Sequence, residues 1–156
     1  MTIAPIVRSV AVRVPPATAF DLFSRQMGQW WPKGRTIGAE PHIAIVVEPH
    51  VDGRWFERDA HGHETQWGRV LAWEPPSRIL LGWQINRQAG GKFAFDAGLL
   101  TEVEINFVTA DGGGTVVTLE HRDLERFGAE AANVGEAIRG GWSDRMAEFA
   151  RYADTD

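Results

Sequence analysis

The chain has 156 residues, of which 44% are hydrophobic and 24% charged, with a formal net charge of −5. These values are typical of one globular domain, expected over residues 1–156, and they exclude an intrinsically disordered chain. The absence of cysteine excludes a disulfide framework, a thiolate zinc site and a cysteine nucleophile.

The first predicted elements are a strand followed by two short helices. Ile6–Val14 alternates apolar and polar side chains, which predicts a strand. Pro16–Phe23 begins with proline and carries apolar residues at helical spacing, so it predicts a helix. The Gln26–Pro32 segment follows, carries Trp30 and Trp31, and ends at a proline.

Six further strands are predicted as three hairpins. They are Ala44–Glu48 with Gly53–Arg58, Glu64–Trp73 with Arg78–Ile85, and Leu100–Thr109 with Thr115–His121. Asp52-Gly53, Pro75-Pro76 and Gly112–Gly114 are typical turn sequences between them.

The last hairpin has the clearest alternation of apolar and polar side chains. One predicted face carries Val103, Ile105, Phe107, Val117, Leu119 and His121. The opposite face carries Glu102, Glu104, Asn106, Thr118 and Glu120. One buried and one solvated face indicate an antiparallel sheet that is covered on a single side.

The C-terminal segment changes to helical periodicity. Its apolar stripe consists of Val134, Ile138, Trp142, Met146, Phe149 and Ala153. The side chains expected on the solvated sides are Arg139, Asp144, Arg145, Glu148 and Arg151. Gly140-Gly141 should weaken this helix by about 1 kcal/mol per glycine relative to alanine, and close packing is the favoured reason for the pair.

Strands that run consecutively, with helices at the ends, predict an α+β fold. The apolar stripe of Val134–Ala153 must be buried, and the inner face of the sheet is the only large apolar surface available. A twisted sheet of this many strands can curve around such a helix. We therefore expect a curved antiparallel sheet wrapped around a long C-terminal helix.

Several short motifs follow one another in a recognisable order over about residues 6 to 152: Glu48-Pro49, Gly53–Glu57, Trp67–Pro76, Ile79–Trp83, Thr101–Glu104, Gly114–His121 and Gly141-Trp142. In these motifs the sequence resembles the activator of heat-shock-protein-90 ATPase homologue family of the START-like, SRPBCC superfamily. The resemblance implies a helix-grip fold with a cavity between the sheet and the C-terminal helix. The superfamily includes lipid carriers, hormone receptors and polyketide cyclases, so the resemblance does not determine the function.

Seven tryptophans in a chain of this size are the strongest anomaly of the composition. Large rings can form the core or line a pocket, since each buries about 150–250 Å². The ligand-binding residues predicted from the sequence are Trp55, Glu57, Trp83, Phe107, His121, Trp142 and Met146.

Glu57 and His121 fall on predicted inward faces, beside Trp55 and Leu119 respectively. A buried charge is costly, so each would have to pair with the other, with arginine or with a ligand. They could orient the polar end of a ligand or act as general acid and base. A structural ion pair or a position at the rim is the simpler alternative.

The remaining motifs do not indicate a metal-binding, phosphate-binding or catalytic site. His61-Gly62-His63 lies in a turn without a definable third ligand, so exposed loop histidines are expected instead of a metal site. Asp111–Gly114 lacks the Lys-Ser/Thr of a phosphate loop, and no Gly-x-Ser-x-Gly motif is present. We predict no metal, no cofactor and no catalytic residue.

Three functions remain open at this stage. The first is non-catalytic binding of an apolar or amphipathic small molecule between sheet and helix. The second is a polyketide-cyclase-like or hydrolase-like enzyme that uses Glu57 or His121. The third is a protein-interaction module of the co-chaperone kind, with the Arg87–Leu99 segment and its Phe93 and Phe95 as the contact surface or as a lid over the pocket.

Partners and location are predicted from what the sequence lacks. The basic residues do not cluster, so no nucleic-acid partner is expected. Without a signal peptide at Met1–Arg8 or an apolar run of about 18 residues, we expect no membrane contact and a cytoplasmic location. A homodimer through the sheet edge stays open. The chain is not expected to contain the separate N-terminal domain of the eukaryotic activator, so a chaperone partner does not follow from the resemblance.

Overall fold

The structure, a computed structural model, describes residues 3–155. Its strands are β1 Ile6–Val12, β2 His42–Val47, β3 Arg54–Asp59, β4 Glu64–Glu74, β5 Arg78–Trp83, β6 Ile85–Arg87, β7 Phe93–Phe95, β8 Thr101–Thr109 and β9 Thr115–Arg122. Its helices are α1 Pro16–Ser24, α2 Met27–Trp30 and α3 Ala131–Ala153, with an irregular 3₁₀ segment, Leu124–Glu130, before α3.

Seven of these strands form one antiparallel sheet in the order β1-β9-β8-β5-β4-β3-β2. Register shifts interrupt the β2–β3, β3–β4 and β4–β5 pairs. Such bulges bend a strand and increase its twist, which curls the sheet. The inward faces predicted for β8 and β9 are confirmed, because their apolar residues and His121 are buried.

Helix α3 lies in the concavity of this sheet, as predicted. The stripe from Val134 to Ala153 is buried. Phe149 packs against Phe23 and Trp30 with ring centroids 5.2 and 5.3 Å apart. Trp142 packs against Trp83 of β5 at 5.8 Å. The α+β helix-grip architecture is therefore confirmed.

The main differences from the sequence-based prediction concern the chain after β5 and the start of the last helix. Arg78–Ile85 is not one strand, because the chain leaves the main sheet after Trp83 and Ile85–Arg87 pairs with Phe93–Phe95 as a separate two-stranded hairpin. The Arg87–Leu99 segment, considered above as a contact surface or a lid, therefore belongs to this hairpin as far as Phe95, and residues 96–99 follow it. Helix α3 also begins one turn earlier than Val134, at Ala131.

The convex face of the sheet carries a network of charges. Arg122 and Arg78 contact Glu104 at 2.7 and 2.8 Å, and Arg122 also contacts Glu102 at 2.9 Å. Hydrogen bonds from Arg122 and Arg78 lower the pKa of Glu104 to about 2. The charged side chains of this face are solvated and pair with one another, so we expect a ligand-binding site on the concave side instead.

Candidate ligand-binding site

A cavity of about 330 Å³ lies between α3, the β6–β7 hairpin and the segment after α2. It is lined by Trp31, Gly34, Arg35, Thr36, Ile37, Gly38, Trp67, Trp83, Ile85, Gly91, Lys92, Phe93, Ala137, Ile138 and Arg145. The room predicted between sheet and helix is therefore present.

Aromatic rings form much of the cavity wall. Trp31 packs against Trp67 with ring centroids 4.9 Å apart, and both lie directly on the cavity. Trp55 supports Trp67 and Trp83 from behind, at 5.5 and 5.8 Å. Trp142 likewise packs behind Trp31 and Trp83. A second layer of rings thus packs against the first and fixes the orientation of the rings in the wall.

Arg145 reaches the cavity from α3 and is only 9% exposed, so its predicted solvated position was wrong. Its guanidinium carbon lies 4.7 Å from the ring centroid of Trp31, 5.1 Å from Trp142 and 5.8 Å from Trp83. Nε and Nη1 are buried and make no hydrogen bond within residues 3–155. Burial, assisted by the charge of Arg35, lowers the pKa of Arg145 to about 9, which leaves the side chain charged at neutral pH.

Gly141 makes room for this guanidinium. A Cβ atom built at Gly141 would lie 2.6 Å from Nη1 of Arg145, well inside van der Waals contact. A Cβ atom at the neighbouring Gly140 would meet nothing within 4 Å. Packing therefore explains Gly141, through a side chain of the same helix, but does not explain Gly140.

The charged residues of the cavity wall are all basic. Arg145, Arg35 and Lys92 line the cavity, and none of its lining residues is acidic. Arg35 also contacts Asp144 at 2.9 Å on the exposed side of α3. A positive cavity in a chain of net charge −5 is a local feature and does not follow from the overall composition.

Glu57 is 1% exposed and lies behind the cavity wall instead of on it. Its carboxylate accepts hydrogen bonds from Ile37 N at 2.6 Å, Gly38 N at 3.1 Å, the Thr36 hydroxyl at 3.1 Å and Trp67 Nε1 at 2.9 Å. The expected pairing with His121, arginine or a ligand is thus replaced by four neutral donors. These bonds fix the segment that forms one side of the cavity.

His42 extends this arrangement and does not line the cavity. Its Nδ1 lies 2.8 Å from the Thr36 hydroxyl, which donates to Glu57, so we assign the proton to Nδ1 of His42. Burial lowers the pKa of His42, and the charge of Glu57 partly offsets this effect. A neutral His42 therefore supports the loop at Thr36.

His121 is fully buried and also lies outside the cavity lining. Trp142 Nε1 donates to Nδ1 of His121 at 3.0 Å, so the proton is on Nε2, which lies 2.8 Å from the Thr101 hydroxyl. Burial, with a smaller contribution from the charge of Arg145, lowers the pKa of His121 to about 3. Both ring nitrogens are satisfied in the neutral state.

Of the seven predicted ligand-binding residues, Trp83 alone lines the cavity in the described part of the chain. Trp55, Trp142 and His121 surround Trp83 from behind. Phe107 packs elsewhere, against Phe20 and Phe23 of α1 at 5.2 and 5.8 Å. Met146 is buried in the stripe of α3 and does not reach the cavity.

Sequence reasoning missed Trp31, Trp67 and Arg145 as wall residues. Arg145 follows Trp142 by three positions and precedes Phe149 by four, a helical spacing that would have indicated the buried face although its charge led to a solvated assignment. Trp31 and Trp67 belong to the tryptophan excess that the composition had already indicated.

The β6–β7 hairpin covers one side of the cavity. Gly91, Lys92 and Phe93 line the cavity, and a role of the hairpin as a lid stays a prediction. Phe95 is 38% exposed, and a role of the hairpin in protein contacts stays a prediction.

The histidine pair His61 and His63 does not line the cavity. His61 and His63 are exposed in the turn between β3 and β4, and His63 lies 3.3 Å from Asp59. In the described residues, no group of three His, Asp or Glu side chains could hold a metal ion. None of the helices between residues 3 and 155 has the length and apolarity needed to cross a membrane.

Several solved structures share this architecture. The anthrahydroquino-Gama-pyrone synthase Txn09, solved in complex with SUM, is 32% identical; the match covers 96% of this chain and 97% of the synthase, with a TM-score of 0.65. The self-sacrificing resistance protein CalC from Micromonospora echinospora is 25% identical over 97% of this chain and 94% of CalC, with a TM-score of 0.67.

A third structure, from Mesorhizobium loti, is 16% identical over 97% of this chain and 98% of its own, with a TM-score of 0.69, and shows the shared fold alone. No curated protein is significantly similar to the chain. The family model described as "Activator of Hsp90 ATPase homolog 1-like protein" matches residues 13–154. With nearly its whole length matched, the chain belongs to the Activator of Hsp90 ATPase homolog 1-like family of the START-like, SRPBCC superfamily.

Proposed function

We propose that this protein binds an apolar or amphipathic small molecule in the cavity between its sheet and helix α3. The observation that carries the proposal is a preformed space walled by Trp31, Trp67, Trp83 and Phe93 and reached by a few polar groups. This combination of apolar walls with sparse polar groups is the usual anatomy of a small-molecule site.

The size of the cavity limits the ligand. Its volume of about 330 Å³ is at the lower end of the range for small-molecule pockets, about 300–1,000 Å³. The flat rings of the wall favour a flat ligand, because stacked and edge-to-face contacts between rings add to the burial of apolar area. A molecule of two or three fused rings fits both conditions, whereas a long acyl chain does not.

Tryptophan fluorescence tests the proposal directly, since three of the seven tryptophans line the cavity. Titration with flat aromatic probes should give a saturable change in emission. Ile138→Trp would fill the cavity with a larger side chain and should abolish saturable binding. Val108→Trp adds the same ring on the exposed side of β8 and should leave binding intact. Equal binding by both variants would exclude this cavity as the site.

A second candidate is an enzyme of the polyketide-cyclase kind. It is favoured by the 32% identity with the synthase Txn09 over nearly the whole of both chains. Such an enzyme would not use Glu57 or His121 as its base in the way the sequence indicated, because neither side chain lines the cavity. Arg145 could instead stabilise a developing enolate by its charge.

Incubation with aromatic polyketone substrates, followed by mass spectrometry, distinguishes the enzyme from the binding protein. An enzymatic function would be established if the wild type and Arg151→Met convert the substrate and Arg145→Met does not. Saturable binding without conversion would establish the binding protein.

A further inference from the structure

We propose that the ligand is an anion whose planar carboxylate pairs with Arg145 inside the cavity. This inference rests on the proposed function, since it names the chemical class of the molecule bound at the same site. It is carried by the hydrogen-bonding state of Arg145, by the charges of the cavity wall and by the way the guanidinium is held.

The first observation is that Arg145 has free donors in a buried place. Nε and Nη1 make no hydrogen bond with any residue from 3 to 155, although both atoms are inaccessible to solvent. Buried donors of this kind are nearly always paired, and a guanidinium has no acceptor function of its own. The protein therefore supplies no partner to these two atoms. Because the side chain lines the cavity, a ligand there would meet the accessible part of the fork, and Nε or Nη1 would join the contact after a rotation of the guanidinium.

The second observation is that no carboxylate of the wall can act as that partner. The remaining charged groups on the cavity are Arg35 and Lys92, which are also basic. Glu57 is buried behind the wall, but its oxygens already accept four hydrogen bonds from the loop and Trp67. The cavity wall thus carries only positive charge, and we expect the ligand to carry the negative charge that pairs with Arg145.

The third observation is that the guanidinium is held before any ligand arrives. Trp31, Trp142 and Trp83 surround its carbon within 5.8 Å, and Gly141 leaves the space that Nη1 occupies. A fixed fork of N–H groups favours a planar oxyanion with two acceptor sites over a single compact charge. Affinity is gained because little freedom remains to be lost on binding.

The experiment compares 2-naphthoate with 2-naphthamide, which have the same rings and shape but differ in charge at neutral pH. We expect the wild type to bind the naphthoate at least about tenfold more tightly by calorimetry, because a hydrogen bond to a charged group is stronger than a neutral one. Arg145→Met should bring the naphthoate down to the affinity of the naphthamide and leave the naphthamide nearly unchanged. Arg145→Lys, which keeps the charge without the fork, should give an intermediate preference.

Arg151→Met is the matched control, because it removes the same charge from an exposed position of α3. It should keep the full preference for naphthoate. Equal affinity of the wild type for both probes would overturn the inference and leave the proposed function standing. A preference that survives in Arg145→Met would also overturn it, by assigning the anion to Arg35 or Lys92. Absence of saturable binding for both probes would overturn the proposed function together with the inference.

Discussion

Two charged side chains are buried beside the same cavity, one from the sheet and one from the helix, and their surroundings differ. Glu57 of β3 lies behind the wall and accepts four hydrogen bonds from neutral donors. Arg145 of α3 lies on the wall, with aromatic faces around it and two nitrogens without a partner. The carboxylate is satisfied by the protein, whereas the guanidinium is not.

This difference separates a structural role from a binding role. A buried charge that the protein satisfies fully stabilises the segment that supplies its donors. A buried charge without a partner reduces stability, and the cation–π contacts offset only part of that cost. Such a residue is typical of a functional site, because the missing interaction is made only in the complex. The two side chains should therefore respond in opposite directions when they are removed.

The largest expected effect is the loss of stability in Glu57→Ala. The substitution leaves the Trp67 indole, the amides of Ile37 and Gly38 and the Thr36 hydroxyl without an acceptor. We expect the free energy of unfolding in urea to fall by about 3–5 kcal/mol, as is typical when one partner of a buried charged network is removed. Glu64→Ala, which removes an exposed carboxylate paired with Arg54 and Arg58, is the control and should change stability little. Equal effects of the two substitutions would contradict a structural role for Glu57.

The opposite sign is expected for Arg145→Met in the protein without ligand. Methionine has a similar length and no charge to desolvate, so the free energy of unfolding should rise by about 1–4 kcal/mol. Denaturation in urea, compared with Arg151→Met, measures the effect. A loss of stability in Arg145→Met would mean that the ring contacts outweigh the desolvation cost, and the contrast with Glu57 would then fail.

The main elements of the fold could be predicted from the sequence. The period of two in β8 and β9 and the stripe of α3 indicated the sheet, its buried face and the helix within it, because burial imposes those periods directly. The β6–β7 hairpin escaped prediction, since its strands have three residues each and a period cannot be recognised over so short a run.

The candidate site was less predictable, for a different reason. Residue type assigned Glu57 and His121 to the ligand and Arg145 to solvent, while the structure places the first two behind the wall and the third on it. Whether a buried polar group is already satisfied depends on partners that are distant in sequence: Trp142 lies 21 positions from His121, and Ile37 lies 20 positions from Glu57. A pattern along the chain contains no information about those pairings.

His121 is a third buried polar side chain beside Glu57 and Arg145, and its hydrogen bonds to Trp142 and Thr101 are both made only when its ring is neutral. Its pKa of about 3 in the folded protein lies below the ordinary value of 6.5, so the unfolded chain takes up the proton first as the pH falls. Stability should therefore be lost from pH 6.5 downward, by about 2 kcal/mol at about pH 5. His121→Gln should lose this part of the slope in urea titrations at several pH values. The slope due to His42, whose pKa is also lowered, should remain in that variant.

The smallest expected effects come from the two adjacent glycines of α3. Gly140→Ala adds a methyl group where nothing lies within 4 Å, so it should raise the free energy of unfolding by about 1 kcal/mol through helix propensity alone. Gly141→Ala places a Cβ atom 2.6 Å from Nη1 of Arg145, which forces the guanidinium to move. The gain in the free energy of unfolding should therefore be smaller than for Gly140→Ala, and the variant's preference for naphthoate should fall. In the Arg145→Met background this conflict is relieved, and both alanine substitutions should then give similar gains. A double-mutant cycle without coupling between positions 141 and 145 would show that Gly141 does not hold Arg145 in its binding position.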